Sequence, residues 1–142
     1  MAARGSAEWK GDLKGGSGTF AAGDGGIAGE FSFHTRFEDG PGANPEQLIG
    51  AALASCFSMA LSNALSQEGH VPDSVRTEAV VSIGKIDGAN SIARIDLTTV
   101  GRVPGIDQAT FEEFAESAKT GCIVSRALAG VPEKNVKATL ES

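Results

Sequence analysis

The amino-acid sequence predicts a single α+β domain over residues 1–142. Three observations indicate this class: strand-like segments separated by glycine turns before residue 45, one long apolar helix, and a hairpin signal followed by two helices and a final strand. The composition agrees, since 41% of the residues are hydrophobic and 21% are charged, which is ordinary for a globular chain with its own core.

The N-terminal region is expected to contain short strands. The segments SAEWKG and GTFAA are candidates, and FSFHTRF is the clearest because Phe31, Phe33, Thr35 and Phe37 occupy alternate positions. The stretches DLKGGSG and AGDGGIAG are typical of turns. This interpretation places Arg36 on a strand.

The long helix is predicted from its start and stop signals. Asn44 is suited to the N-cap, Pro45 to the first helical position and Gln47 to the third position of a capping box. The helix runs to about Gln67, and Gly69 is placed to end it. Apolar residues occupy nearly all directions around its axis, which predicts burial in a core or an interface.

The second half of the chain predicts a hairpin, two helices and a strand. The segments TEAVVSIGKI and IARIDLTTVGRV flank an Asp-Gly pair, a hairpin signal. Asp107 is expected to cap a helix ending near Thr120, Cys122 opens a shorter helix, and EKNVKATLES forms the last strand. The inward-facing positions are expected at Ala79, Val81 and Ile83, at Ile95, Leu97 and Thr99, and at Val136, Ala138 and Leu140.

Charge and composition disfavour several kinds of partner. The net charge is −6 and the pI about 4.8, whereas proteins that bind nucleic acid or anionic membranes are more often basic. The N-terminus lacks the apolar run of a signal peptide, and no stretch reaches the roughly 18–20 apolar residues of a membrane span. The chain is therefore expected to be soluble and cytoplasmic, with no nucleic-acid or membrane partner.

The two cysteines, Cys56 and Cys122, are the residues most informative about function, because each is either a buried core residue or a reactive thiol. Their spacing is neither a metal-ligand pattern nor a CxxC pair, and in the cytosol a structural disulfide is uncommon. Cys56 is either an inert core residue or a reactive thiol held by the long helix. Cys122 opens a helix, where amide N–H groups would favour its thiolate.

Charged neighbours bear on whether a thiol reacts. Arg36 is the candidate cation, although a solvated surface charge is the alternative. Glu46 lies in the first turn of the long helix and either complements the helix dipole or holds a guanidinium. His34 and His70 show no ligand spacing with the cysteines, so neither a metal site nor another cofactor is expected.

Four separated motifs make the chain recognisable. The segments FSFHTRFEDGPG, NPEQLIGAALASCFSMAL, VPGID and GCIVSRAL together resemble the OsmC/Ohr family of thiol-dependent peroxidases, and the second and third look more like its OsmC branch. The resemblance implies an OsmC-like α+β fold, an intertwined homodimer whose long central helices pack between antiparallel β-sheets. It also implies reduction of organic hydroperoxides in preference to hydrogen peroxide.

The resemblance assigns roles to four residues. Cys56 matches the peroxidatic cysteine and Cys122 the resolving cysteine, while Arg36 matches the family arginine and Glu46 the glutamate that holds it. The implied cycle passes through a Cys56 sulfenic acid and a Cys56–Cys122 disulfide. An external thiol or dithiol, a lipoyl group being one candidate, then restores both thiols.

Two positions depart from the family pattern. His34 stands where the motif has a different residue, and Ile123 stands where the family usually has Pro.

The spacing of apolar residues also suggests a substrate pocket. The candidates to line it are Phe33, Phe37, Phe57, Met59 and Ile123. Two other functions stay open: a cysteine-based peroxide sensor, and a non-catalytic dimeric binding protein in which both cysteines are filler.

Overall fold

A computed structural model describes residues 1–141 and divides the chain into two compact units, Met1–Leu48 and Ile49–Ser142. The elements in chain order are β1 Gly5–Lys10, β2 Ser17–Ala22, β3 Ile27–Phe31, α1 Phe33–Phe37, α2 Pro45–Gln67, β4 Ser74–Ile86, β5 Ala89–Arg102, α3 Gln108–Gly121, α4 Ile123–Ala127 and β6 Glu133–Glu141. Helices and two separate sheets are both present, so the predicted α+β class is confirmed.

The first unit is built on the antiparallel sheet β1-β2-β3, with β2 in the middle. Gly18 pairs with Trp9 on one side and Phe31 on the other, and the two rings lie 5.5 Å apart. A Cβ atom at Gly18 would lie 2.5 Å from the Phe31 ring. The glycine therefore lets the two aromatic rings meet over the central strand.

The segment 33–37 is a helix, so the prediction of a strand there is wrong. Ser32 caps α1 in a reciprocal box: its Oγ accepts from the Thr35 N–H at 3.2 Å, and its N–H donates to Thr35 Oγ1 at 2.8 Å. These bonds satisfy the helix start and outweigh the alternation of phenylalanines. The strand lies earlier, beginning at Ile27 in a stretch expected to be a turn, and Arg36 lies on the helix.

Helix α2 has the predicted ends. The Gln47 N–H donates to Asn44 Oδ1 at 2.8 Å. After the helix, Gly69 adopts φ 86° and the His70 N–H donates to the Leu65 carbonyl at 2.9 Å. Such a left-handed glycine is the usual device for ending a helix.

Only one stripe of α2 is buried within the chain. Its buried apolar residues recur every four positions, at Leu53, Phe57, Leu61 and Leu65, whereas Met59 is 74% exposed. By length and composition α2 would be able to cross a membrane, although core helices of soluble proteins share this property. The expectation that no segment reaches such a length is wrong on this measure, because the interrupting Ser and Gly residues lower the mean hydropathy little.

The second unit is built on the sheet β4-β5-β6. The hairpin β4–β5 turns at Asp87 and Gly88, which have φ values of 50° and 82°, as the Asp-Gly signal predicts. Strand β6 pairs parallel to β5 because α3 and α4 carry the chain back to the same end of the sheet. This sheet is therefore mixed, whereas the family resemblance implied antiparallel sheets.

The core of the second unit follows the predicted faces with one exception. Ile95, Leu97 and Thr99 are buried as expected. Ile83 is 38% exposed, so its predicted inward position is wrong, because the β4–β5 register shifts between Ser82 and Ile83. The buried apolar residues are Leu53, Phe57, Leu61, Leu65, Ile95, Leu97, Val103, Phe111, Ala115, Ala118 and Cys122.

Candidate active site

The two cysteines lie side by side in the second unit although 66 positions separate them in sequence. The Cys122 side chain lies close enough to Cys56 for the two thiols to affect each other's acidity. Both are free thiols; Cys56 is half-buried, while Cys122 is 1% exposed. The pair therefore combines one sulfur that solvent and small molecules can reach with one that is shielded.

Helix α2 holds Cys56 through contacts on both sides of it. Leu53 and Phe57 are fully buried and anchor the helix in the core, against which Cys56 itself packs. One half-turn further, Ser58 Oγ donates to Thr77 Oγ1 at 2.7 Å, and Thr77 Oγ1 lies 3.0 Å from Thr99 Oγ1. These hydrogen bonds join the helix to β4 and β5 and fix the rotation of the helix about its axis.

Cys122 is held by the junction of two helices. Its N–H donates to the Ala118 carbonyl at 3.1 Å, which ends α3, and its Sγ accepts from the Ser125 N–H at 3.5 Å, which begins α4. Lys134 Nζ on β6 donates to the Ser125 carbonyl at 3.0 Å. The position of Cys122 is thus fixed by α3, α4 and β6 together.

The environment of Cys56 favours its thiolate. Burial raises the pKa of this thiol, but hydrogen bonds from the Cys122 thiol and from the backbone N–H groups of Val124 and Ile123 together outweigh burial and lower the pKa. The first amides of a helix have no partner within the helix, so they are free to donate to an anion. A lowered pKa increases the fraction of nucleophilic thiolate at neutral pH.

The environment of Cys122 has the opposite effect. Burial raises the pKa of Cys122, its bond to Cys56 raises it further, and the Ser125 N–H and hydroxyl only partly offset this rise. The expectation that the helix N-terminus makes Cys122 thiolate-rich is therefore wrong. The amides of Ile123 and Val124 act on Cys56 instead.

Arg36 and Glu46 form an ion pair within the first unit. The Arg36 Nε and Nη2 atoms donate to Glu46 Oε1 at 3.0 and 2.7 Å. The carboxylate is buried, while the guanidinium side chain is 43% exposed and lies 5.4 Å from the centre of the Phe37 ring. Asn44 Nδ2 donates to the Thr35 carbonyl at 2.8 Å and so joins α1 to the start of α2. Glu46 thus fixes the guanidinium plane.

An apolar cavity of about 250 Å³ adjoins Arg36 in the first unit. Two of the predicted pocket residues, Phe33 and Phe37, line it with their rings 5.1 Å apart. The complete lining is Trp9, Leu13, Phe31, Ser32, Phe33, Arg36, Phe37 and Pro45. The sequence interpretation missed Trp9, Leu13 and Phe31, because strand pairing brings the first and last of these together and no local pattern indicates it.

The other sequence-derived candidates lie elsewhere. In the second unit, Phe57 is fully buried in the core, while Met59 and Ile123 are 74% and 78% exposed. His34 is exposed and hydrogen-bonds Glu38 one helical turn away. Within residues 1–141, no three His, Cys, Asp or Glu side chains cluster as a metal site would require.

The fold and these contacts define an α+β protein with a paired-thiol site on a long central helix. The chain belongs to the OsmC-like protein family, whose family model matches residues 38–137. The resemblance noted from the sequence motifs is thereby confirmed.

Curated relatives and a solved structure agree with this family. Peroxiredoxin OsmC of Escherichia coli (strain K12) is 47% identical over 126 residues, which is 88% of each chain. The organic hydroperoxide resistance protein of Xanthomonas axonopodis pv. citri (strain 306) is 34% identical over 102 residues, 71% of this chain and 67% of that one. The crystal structure of the organic hydroperoxide resistance protein OhrB of Bacillus subtilis matches with a TM-score of 0.71 at 25% identity, covering 99% of this chain and 98% of that chain.

Proposed function

We propose that this protein is a thiol-dependent peroxidase that reduces organic hydroperoxides to alcohols and hydrogen peroxide less efficiently. The observation that carries the proposal is the pairing of a half-buried thiol of lowered pKa, Cys56, with the thiol of Cys122. Relatives named peroxiredoxin and organic hydroperoxide resistance protein support it.

In the first step the Cys56 thiolate attacks one oxygen of the hydroperoxide. The O–O bond breaks, an alcohol leaves after gaining a proton, and Cys56 becomes a sulfenic acid. The N–H groups of Ile123 and Val124 stabilise the thiolate before the attack. The reacting sulfur is therefore ionised to a greater extent than that of an ordinary cysteine.

In the second step Cys122 resolves the sulfenic acid. Its sulfur forms the Cys56–Cys122 bond, and the sulfenic hydroxyl leaves as water. The two thiols are close enough to interact before any reaction, which supports this step. An external dithiol then reduces the disulfide by exchange and is itself oxidised to a disulfide, and a lipoyl group is the proposed reductant.

Arg36 is proposed to bind the hydroperoxide oxygens and to stabilise the negative charge on the departing alkoxide. Its exposed guanidinium, held by Glu46 at one edge, supports this role because its remaining N–H groups stay available. The adjoining cavity, with Phe33 and Phe37 in its wall, suits the apolar tail of an organic hydroperoxide. No cofactor is required by this chemistry.

The protein is further proposed to act as a homodimer in the cytoplasm. Helix α2 exposes Met59 and Leu48 on an apolar surface that the chain itself leaves uncovered, and a second copy would bury it. Analytical ultracentrifugation of the wild type and of Met59→Glu tests this. A dimer that the substitution weakens supports the proposal, and a monomeric wild type contradicts it.

The proposed activity is tested by steady-state consumption of an organic hydroperoxide with a lipoyl dithiol as reductant. The wild type should turn over many times, Cys56→Ser should be inactive, and Ser55→Ala, a neighbouring exposed position, should match the wild type. Consumption of one equivalent followed by arrest would instead identify a peroxide sensor. Failure of the wild type to consume hydroperoxide, with both thiols intact, would overturn the proposal.

A further inference from the structure

We propose that Ser125 is a positioning residue for Cys122, whose thiolate it stabilises with both its backbone N–H and its hydroxyl, and that it thereby sets how fast the Cys56–Cys122 disulfide forms and opens. The role of this disulfide rests on the proposed function. The acid strength of the Cys122 thiol, in contrast, is a property of the folded chain that is measurable without any activity.

The position of Ser125 on α4 brings it back to Cys122. Cys122 is the N-cap of α4 and Ser125 is the third helical residue, so the Ser125 N–H points at the cap and donates to Sγ at 3.5 Å. A polar side chain at this third position is the one that characteristically reaches back to the cap residue. Ser125 therefore presents two donors toward the same end of the helix.

The Ser125 hydroxyl is a buried donor without a partner. Ser125 is 1% exposed, and among the described residues its Oγ atom has no hydrogen-bond partner. A buried hydroxyl without a partner costs free energy that is recovered when a partner forms. A thiol sulfur is a weak acceptor, and a thiolate is a strong one, so the hydroxyl gains its partner when Cys122 ionises.

The surroundings leave few other groups to stabilise this anion. The titratable groups around it are Cys56 on α2 and Lys134 on β6, which donates to the Ser125 carbonyl rather than to the sulfur. Burial and the contact with Cys56 raise the pKa of Cys122, while the N–H and hydroxyl of Ser125 lower it. Lys134 holds the Ser125 backbone in place and so supports both donors.

Two steps of the cycle place negative charge on Cys122. To resolve the sulfenic acid, Cys122 loses its proton and its electron pair forms the bond to Cys56, with water leaving. When a reductant thiolate attacks the more accessible Cys56 sulfur, the S–S bond breaks and Cys122 departs with the electron pair. As a leaving thiol, Cys122 departs faster when its pKa is lower. As an attacking thiol, it gains more from a larger thiolate fraction than it loses in nucleophilicity, so the same donors accelerate both steps.

The direct test measures the acid strength of Cys122 in a Cys56→Ala background. The chain then holds a single thiol, and it contains no tyrosine, so thiolate absorbance in the ultraviolet reports Cys122 alone. Ser125→Ala should raise the apparent pKa by about one unit, a tenfold loss of thiolate equivalent to about 1.4 kcal/mol. Ser125→Thr retains the hydroxyl and should restore most of the shift, Lys134→Met should produce a smaller rise, and the exposed control Ser117→Ala should produce none.

The kinetic test locates the slow step in the intact pair. After mixing with one equivalent of hydroperoxide, Ser125→Ala should form the disulfide about three- to fourfold more slowly than the wild type, because the tenfold loss of thiolate is partly offset by the greater nucleophilicity of a more basic thiolate. It should also reopen the disulfide more slowly with dithiol, and the delay in formation should fall after sulfenic acid formation. Thermal unfolding of each variant checks that the fold is retained. An unchanged Cys122 titration in folded Ser125→Ala would overturn the inference, whereas an inactive wild type with the titration shift present would overturn only the proposed function.

Discussion

The neighbouring thiols of Cys56 and Cys122 shift each other's pKa in opposite directions. Burial raises the pKa of both, but side-chain hydrogen bonding to Cys122 helps to lower the pKa of Cys56, and the same interaction raises the pKa of Cys122 further. The thiol whose pKa is raised, Cys122, is the one proposed to react second, and the thiol whose pKa is lowered, Cys56, is the one proposed to meet the hydroperoxide.

The first prediction concerns the pH dependence of thiol reactivity. Because its pKa is lowered, Cys56 should be alkylated with an inflection below the ordinary cysteine value of about 8.5, and Cys122 with an inflection above it. Cys122→Ala removes a donor and should shift the Cys56 inflection upward, while Cys122→Ser keeps an O–H donor and should shift it less. Mass spectrometry of each alkylated peptide across pH makes the measurement, and a Cys56 inflection unchanged in Cys122→Ala would contradict the shared bond.

The second prediction isolates one backbone donor. Ile123→Pro removes the Ile123 N–H, and proline is tolerated at the first position of a helix, where the preceding Cys122 already has the extended ψ of 135° that proline requires. The Cys56 pKa should rise by roughly 0.5 to 1 unit. Ile123→Ala keeps the N–H and should leave the pKa where it is.

The same alkylation measurement serves for both Ile123 variants. Equal Cys56 inflections in the proline and alanine variants would show that this amide does not stabilise the thiolate. Thermal unfolding of Ile123→Pro should be close to that of the wild type, since no intrahelical hydrogen bond is lost at this position.

The third prediction separates stability from activity in the Arg36–Glu46 pair. Arg36→Ala leaves the buried Glu46 carboxylate without its counter-ion and should destabilise the fold by roughly 1–3 kcal/mol, less than for a fully buried pair because Arg36 is partly exposed. Hydroperoxide kcat/KM should fall by about 100-fold or more. The double variant Arg36→Ala/Glu46→Gln should recover stability without recovering activity.

Chemical denaturation and peroxidase kinetics on the same preparations supply both readouts. Arg94→Ala, which breaks an exposed pair with Asp96, is the matched control and should change neither quantity much. Near wild-type turnover in Arg36→Ala would refute the role given to the guanidinium.

The fourth prediction concerns substrate preference. Phe37→Ala removes one wall of the 250 Å³ cavity and should lower kcat/KM for an aromatic hydroperoxide by roughly 10-fold or more, the loss expected when a buried ring contact is removed. Hydrogen peroxide has no tail to bind, so its kcat/KM should stay within about a factor of two of the wild type. Ile27→Ala removes another exposed apolar side chain, one that does not line the cavity, and should alter neither value. Parallel losses for both substrates in Phe37→Ala would argue against a tail-binding cavity.

Local signals predicted most of the fold, and of the two errors only one could have been avoided from a second local signal. The ends of α2, the Asp87–Gly88 turn and the Asp107 cap all follow from residue types at fixed positions. The prediction of a strand over residues 31–37 is wrong because the Ser32–Thr35 capping pair starts a helix there and outweighs the alternation of phenylalanines. The predicted burial of Ile83 is wrong because the register shifts in the hairpin, and no residue type in β4 indicates that shift.

The site was less accessible to sequence reasoning because its contacts join distant segments. The family resemblance, and no spacing rule, connected Cys56 to Cys122. The acidity of the two thiols was misjudged for Cys122, because a helix N-terminus predicts where donors lie but not which sulfur receives them. Ser125 also escaped notice, since a buried hydroxyl without a partner becomes visible only when burial and hydrogen bonds are known.

A single-turnover reaction followed by mass spectrometry tests the central claim most directly. Reduced protein is mixed with one equivalent of an organic hydroperoxide, and the alcohol and the cysteine products are quantified, with Cys122→Ser treated in parallel with a sulfenic-acid trap. The account predicts one equivalent of alcohol, a Cys56–Cys122 disulfide in the wild type, and trapped sulfenic acid on Cys56 in the variant. Unreacted hydroperoxide with both thiols still reduced, or oxidation that begins at Cys122, would contradict it.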